Sequence, residues 1–292
     1  MLPQVVLVTG KGGVGKTTVA AALAYGEATG THGAALVEFG DGEAGKRALG
    51  AHAARSGLEH VVLSPRDAIT ALGTSVLGSA LLARAVLGNF AVERFLRAAP
   101  AIREVAMLEA VRRCAEQRPG RRVVVDMPAT GHGVAWLRVP AQLSSLLGSG
   151  PLYDVTERLS RELVAPGRSG IVIVTLPERL VMLETLELWN AIRTKVSMSP
   201  TRLVINRFPR GLPDAALGEA RALAARSNGT LHDAAESLAG ALAARAEART
   251  EALEMEGRAR DEIGVPPLVL PEQRGDPDAA AAAVLLQEGG WR

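Results

Sequence analysis

Residues Val5–Thr18 read VVLVTGKGGVGKTT, and this stretch decides the fold. Val5–Thr9 is a short β-branched run closed by a turn residue, the mark of a strand buried on both faces. The next six residues, GKGGVG, hold four glycines, a composition that suits neither a helix nor a strand. From Lys16 onward KTTVAAALAYGEA is built of strong helix formers. Strand, glycine loop and helix thus follow within a few residues. Such a loop lets consecutive backbone N–H groups converge on an anion without meeting a Cβ, and the helix adds its unpaired N–H groups and positive end. Gly10, Gly15, Lys16 and Thr17 satisfy G-x-x-x-x-G-K-S/T in the context that pattern needs. Gly12, Gly13, Val14, Gly15, Lys16, Thr17 and Thr18 are therefore the expected phosphate cradle for ATP. Lys16 is expected on the β- and γ-phosphates, and the Thr17 hydroxyl on Mg²⁺.

Outward from this loop, short β-rich runs alternate with longer helical stretches, the pattern of an α/β fold. The strands expected are Val5–Thr9, Ala34–Phe39, His60–Leu63, Arg122–Asp126, Gly170–Thr175, Arg202–Asn206 and Pro267–Leu270. They imply a P-loop NTPase domain over residues 1–292, with a mostly parallel sheet flanked by helices on both faces. A helical insertion is expected at 64–120, with Val76–Phe95 and Ala101–Gln117 divided by Pro100; ordinary crossover helices are the other reading of this segment. Asp214–Arg260 is expected as two helices broken at Asn228–Gly229, and Asp276–Gln287 as a terminal helix.

Composition narrows the function classes. The 292 residues are 48% hydrophobic and 22% charged, which is globular rather than disordered. A net charge of +2 and 3% aromatics supply neither a basic stripe nor stacking platforms for nucleic acid. No apolar run nears the roughly 18 residues of a membrane span, and the start lacks a signal-peptide pattern, so a cytoplasmic protein without an integral membrane segment is expected. Cys114 is the single cysteine, and the five histidines (His32, His52, His60, His132, His232) are scattered, so no disulfide framework or metal-ligand cluster is expected.

Lys11 carries a charge where an ordinary phosphate loop does not need one. The string KGGVGKTT resembles the deviant Walker motif of the MinD, ParA, nitrogenase-iron-protein and ArsA group. That resemblance implies a nucleotide-sandwich dimer in which Lys11 reaches the partner's phosphates, as an arginine finger would. Val123–Val134, VVVDMPATGHGV, is similar to the switch II segment of ArsA-type ATPases, whose family includes the guided-entry ATPases for tail-anchored proteins. By that likeness Asp126 holds the Mg²⁺ shell through water, and Thr130 and Gly131 respond to the γ-phosphate; His132 either tethers the loop or makes a purely structural hydrogen bond. Asn206 in VINRFP resembles the family asparagine that reads the adenine edge, and Pro271 and Glu272 in LPEQRG resemble its second base-contacting loop.

The first switch departs from the family. In LVEFGDGE the register that matches Glu38 places Gly40 where relatives have the Asp that positions the attacking water. Asp41, one residue later, and Glu38 are the remaining candidates. Arsenite activation and a zinc clasp both need more cysteines than Cys114. The reading that follows is an ArsA-like ATPase whose homodimer, or heterodimer with a paralogous ATPase, switches on ATP and acts on a protein cargo. Leu77, Leu81, Leu82, Val86 and Leu87 offer apolar surface for that cargo, or simply core. The alternative is an ATP-binding, weakly hydrolysing regulatory subunit paired with an active paralogue. A MinD- or ParA-like role has less support, because Ala279–Gln287 has no Lys/Arg-lined apolar face.

Overall fold

A computed structural model describes residues 3–29, 33–79, 99–128, 133–213, 215–273 and 278–291, together with 81, 82, 85 and 275. Seven strands form one sheet: β1 (Val5–Thr9), β2 (Ala34–Phe39), β3 (Leu58–Leu63), β4 (Arg122–Asp126), β5 (Ser169–Thr175), β6 (Arg202–Phe208) and β7 (Leu268–Pro271). Their order is β3-β2-β4-β1-β5-β6-β7, and every neighbouring pair is parallel. The α/β architecture expected from the sequence is the one found.

Strand limits moved where pairing outweighed local pattern. β3 starts at Leu58 because Leu58 pairs with Ala34 beside the Ala34 N–H to Gly57 carbonyl bond. β6 continues past Asn206 to Phe208 through a register shift, and β7 begins after Pro267, which has no N–H to give a ladder.

The helices are α1 (Lys16–Ala28), α2 (Glu43–Leu49), α3 (Pro65–Leu77), α4 (Pro100–Glu116), α5 (Gly133–Leu147), α6 (Pro151–Leu159), α7 (Arg179–Ala191), α8 (Ala216–Arg226), α9 (Thr230–Ile263) and α10 (Ala279–Glu288). One sheet face carries α1, α2 and α10, whose Ala20–Ala24, Ala48, Leu49 and Leu286 join Val6, Leu36, Val124 and Val172. α1 and α10 approach closely at Gly26, where a Cβ would lie 3.4 Å from Gln287 Nε2 and 3.7 Å from the Ala283 Cβ. The opposite face carries α3–α7 and α9, whose Leu72, Leu108, Trp136, Leu159, Met182 and Met255 cover Leu7, Val125 and Ile173.

Within the helical segment at 64–120, α4 packs against β4 and α3 packs on α4. Ser64 and Asp67 cap α3 reciprocally, each side chain accepting from the other's backbone N–H at 3.1 Å. Glu109 of α4 is fully buried and ties the pair to Ser75, Arg112 and Arg113. Burial pushes its carboxyl up, but Arg112 and Ser75 hold it below the usual range. Leu77, Leu81 and Leu82 are exposed, whereas Val86 and Leu87 lie outside the described residues. The expected break at Asn228–Gly229 separates α8 from α9. No helix among the described residues is long and apolar enough to cross a membrane.

Candidate functional site

The site stands at the carboxyl ends of β1, β4, β2 and β6, where parallel sheets place ligands. β1 sits between β4 and β5, so the glycine loop leaves it with strands crowding both sides. Gly10 has φ +147°, and a Cβ there would lie 2.2 Å from the Val174 carbonyl oxygen of β5. Gly15 has φ +90°, and its Cβ would lie 2.3 Å from Asn206 Nδ2. Both glycines are required by close approach as well as by conformation. Val19 N donates to the Gly15 carbonyl at 3.1 Å, so the N–H groups before it stand at the open N-terminus of α1.

Lys16, 7% exposed, donates from Nζ to the Lys11 carbonyl at 3.0 Å. Burial lowers its ammonium below the ordinary lysine value, with Asp126 opposing. The Thr17 hydroxyl donates to Asp126 Oδ2 at 2.5 Å. Burial raises the Asp126 carboxyl to about 6, against the pull of Thr17 and Lys16 and with the push of Glu38. Among the described residues its buried Oδ1 has no hydrogen-bond partner. An unpaired carboxylate oxygen beside a threonine hydroxyl is the hard-oxygen donor set a Mg²⁺ ion takes. The residues fit the metal.

The remaining candidates divide into two groups. Asn206 is brought to the loop, where its Nδ2 donates to the Val14 carbonyl at 2.9 Å. It sits in the β6 irregularity beside Arg207, whose φ of +53° is rare for a side chain of that size. Pro271 pairs with Phe208 on the adjacent strand, and Glu272 N donates to the Phe208 carbonyl at 3.0 Å. The Glu272 carboxylate, however, is held by Arg245 of α9.

Lys11 and Asp41 lie at the rim. Lys11 pairs with Glu184 of α7 at 2.6 Å, both side chains about half exposed. Asp41 is exposed, and its Oδ1 accepts from Glu43 N at 3.1 Å, so its carboxylate serves the first turn of α2. Glu38 instead is 6% exposed at the end of β2. Its Oε2 accepts from Gly45 N at 2.8 Å and contacts His60 Nε2 at 3.1 Å. Thr130, Gly131 and His132 lie outside the described residues. Cys114 is buried in α4, and among the described residues no group of three metal-ligating side chains comes together.

Glu184 and the Glu38–Gly45–His60 cluster were not foreseen as contacts. An exposed glutamate in a helix carries no sequence signal, and three residues from β2, α2 and β3 meet only through the fold.

Glycine loop, buried lysine, Thr17–Asp126 pair and parallel sheet together define a P-loop nucleotide-binding protein. The family model described as "Anion-transporting ATPase", ArsA_ATPase, matches residues 3–38. ATPase BagA of Mycobacterium tuberculosis strain H37Rv is 30% identical over 253 residues, covering 76% of this chain and 72% of the relative. Proteins of Mycobacterium bovis and of M. tuberculosis strain CDC 1551, whose names also read ATPase, match at the same identity and coverage. The chain belongs to the ArsA-like ATPase family.

Proposed function

We propose that the chain hydrolyses ATP with Mg²⁺ and uses the cycle to open and close a nucleotide-sandwich dimer that acts on a protein partner. The observation that carries the chemistry is the Thr17–Asp126 bond with its orphaned Oδ1, set directly behind Lys16 and the N-terminus of α1. Lys16 exchanges the Lys11 carbonyl for the β- and γ-phosphates. The open N–H groups at the start of α1 take the remaining phosphate oxygens. Mg²⁺, held by Thr17 and Asp126, supplies charge neutralisation on the terminal phosphates. Asn206, Pro271 and Glu272 border the adenine on the β6–β7 side. Glu272 must then leave Arg245 or present its backbone. The Lys11 side chain, held by a half-exposed ion pair, can cross to a second chain. That chain is another copy or a paralogous ATPase. Leu77, Leu81 and Leu82 give the protein partner an apolar surface.

A second reading, an ATP-binding regulatory subunit with little turnover, is favoured by Asp41 being engaged by α2. Phosphate release separates the two. Mg²⁺-dependent turnover abolished by Lys16→Ala supports the enzyme. ATP binding without turnover, alone or mixed with a paralogue, supports the subunit. Sedimentation with a non-hydrolysable ATP analogue tests the dimer: Lys11→Ala should bind the analogue yet remain monomeric.

A further inference from the structure

Gly40 and the exposed Asp41 leave open which carboxylate faces the attacking water. We infer that Glu38 holds this water, with Gly45 and His60 fixing its carboxylate; this rests on the proposed ATPase reading.

Three placements point to Glu38. First, it is register partner to Asp126 on the adjoining strand. Leu36 and Val124, two residues earlier on each strand, face the α1 side, so Glu38 and Asp126 face that side together. Second, the strand order gives the nucleotide a direction. With its base at β6 and β7, its terminal phosphate points past β1 toward β4 and β2, where Asp126 and then Glu38 stand. Third, Glu38 is held as a positioned acceptor. Both of its contacts fall on Oε2, leaving Oε1 for another donor. Gly45 permits this arrangement, since a Cβ there would lie 2.4 Å from Oε2 and 2.7 Å from His60 Nε2. Asp41, by contrast, is solvent-exposed and serves the α2 backbone.

In the step assigned to it, Glu38 Oε1 accepts a hydrogen bond from the water and aims its lone pair at the γ-phosphorus. The water oxygen bonds to that phosphorus. The bond to the β–γ bridging oxygen breaks with its electron pair remaining on ADP. The second water proton passes to the departing phosphate, so ADP and dihydrogen phosphate leave.

Glu38→Gln tests this cleanly, because the amide oxygen still accepts from Gly45 and His60 while its NH₂ cannot accept from water. kcat should fall by about 100-fold or more, the usual loss when one oriented polar group is removed. KM and the affinity for a fluorescent non-hydrolysable ATP analogue should stay within about twofold. A second readout does not need turnover: wild type should trap ADP–Mg²⁺–aluminium fluoride, and E38Q should bind ADP but not trap it. E38Q trapping as wild type does, or a loss of turnover confined to Asp41→Asn, overturns the inference. Absence of wild-type turnover would count against the ATPase reading, while the trapping comparison would still decide the role of Glu38.

Discussion

Replacing Asp126 with Asn should stabilise the protein in the absence of nucleotide and metal, by an amount that depends on pH. Burial holds the Asp126 carboxyl at about 6 against an ordinary value of 3.8. The folded state thus binds this proton more tightly than the unfolded chain. The stability that proton contributes is complete below about 3.8 and is lost as the pH rises through about 6. At about 1.4 kcal/mol per pH unit, the ionised carboxylate costs about 3 kcal/mol at pH 8. Asparagine avoids that cost and keeps an oxygen for the Thr17 hydroxyl. The variant should therefore exceed wild type by about 1–3 kcal/mol in urea unfolding at pH 8 with EDTA, and by about 1 kcal/mol or less at pH 4.5. Adding Mg²⁺ and an ATP analogue at pH 8 should reverse the ranking, because the proposed metal role of Asp126 would make linkage stabilise wild type more than the variant. An advantage of D126N equal at both pH values, or none at pH 8, would refute the claim that burial of this charge destabilises the empty site.

Gly10→Ala should lose about 2 kcal/mol or more in urea unfolding and fail to bind a fluorescent ATP analogue, since its Cβ meets the Val174 carbonyl at 2.2 Å; wild-type stability would refute this. Glu184→Gln should change stability by less than about 0.5 kcal/mol, because the ion pair to Lys11 is half exposed; a loss above about 1.5 kcal/mol would show a structural clamp. Cys114, buried and with its thiol pushed up by that burial, should react with a thiol reagent at pH 8 at under about 1% of its rate in urea; native labelling at the unfolded rate would place it at the surface.

The parts of the site made by contiguous residues were legible in the sequence, and those made by the fold were not. Gly10–Thr18 could be read because the chemistry and its spacing lie in one string. The same holds for Asp126, which closes an apolar strand. The strands were legible for the same local reason, and their ends were not, because Leu58 and Phe208 are strand residues only through Ala34 and Pro271. Asn206 shows the intermediate case. Its position at a strand end was plain, but its bond to the Val14 carbonyl spans 192 residues of sequence. Asp41 drew attention because it is nearest in number to the vacant acidic position. Number is a poor guide there: Gly40 and Gly42, at φ +123° and +81°, turn the chain and deliver Asp41 to α2, while Glu38 stays on the straight part of β2.

A nucleotide bound as proposed would exchange a set of contacts within the phosphate loop. Lys16 is bonded to the Lys11 carbonyl, Thr17 to Asp126, and Lys11 to Glu184. These are not independent, because Lys16 holds the backbone of the residue whose side chain sits on α7. In the proposed nucleotide complex, Lys16 turning to phosphate would release the anchor on the Lys11 backbone, leaving an ion pair worth about 0–1 kcal/mol on its side chain. On the proposed reading, phosphate occupancy would thus be linked to the freedom of Lys11 without any movement of the sheet. In the proposed dimer, Glu184 would hold Lys11 on its own chain until nucleotide binds, yet too weakly to resist a partner's phosphates. The same reasoning explains why the pair lies at the surface. Burying it would raise the cost of breaking it to several kcal/mol, and the loop would then bind nucleotide without presenting Lys11.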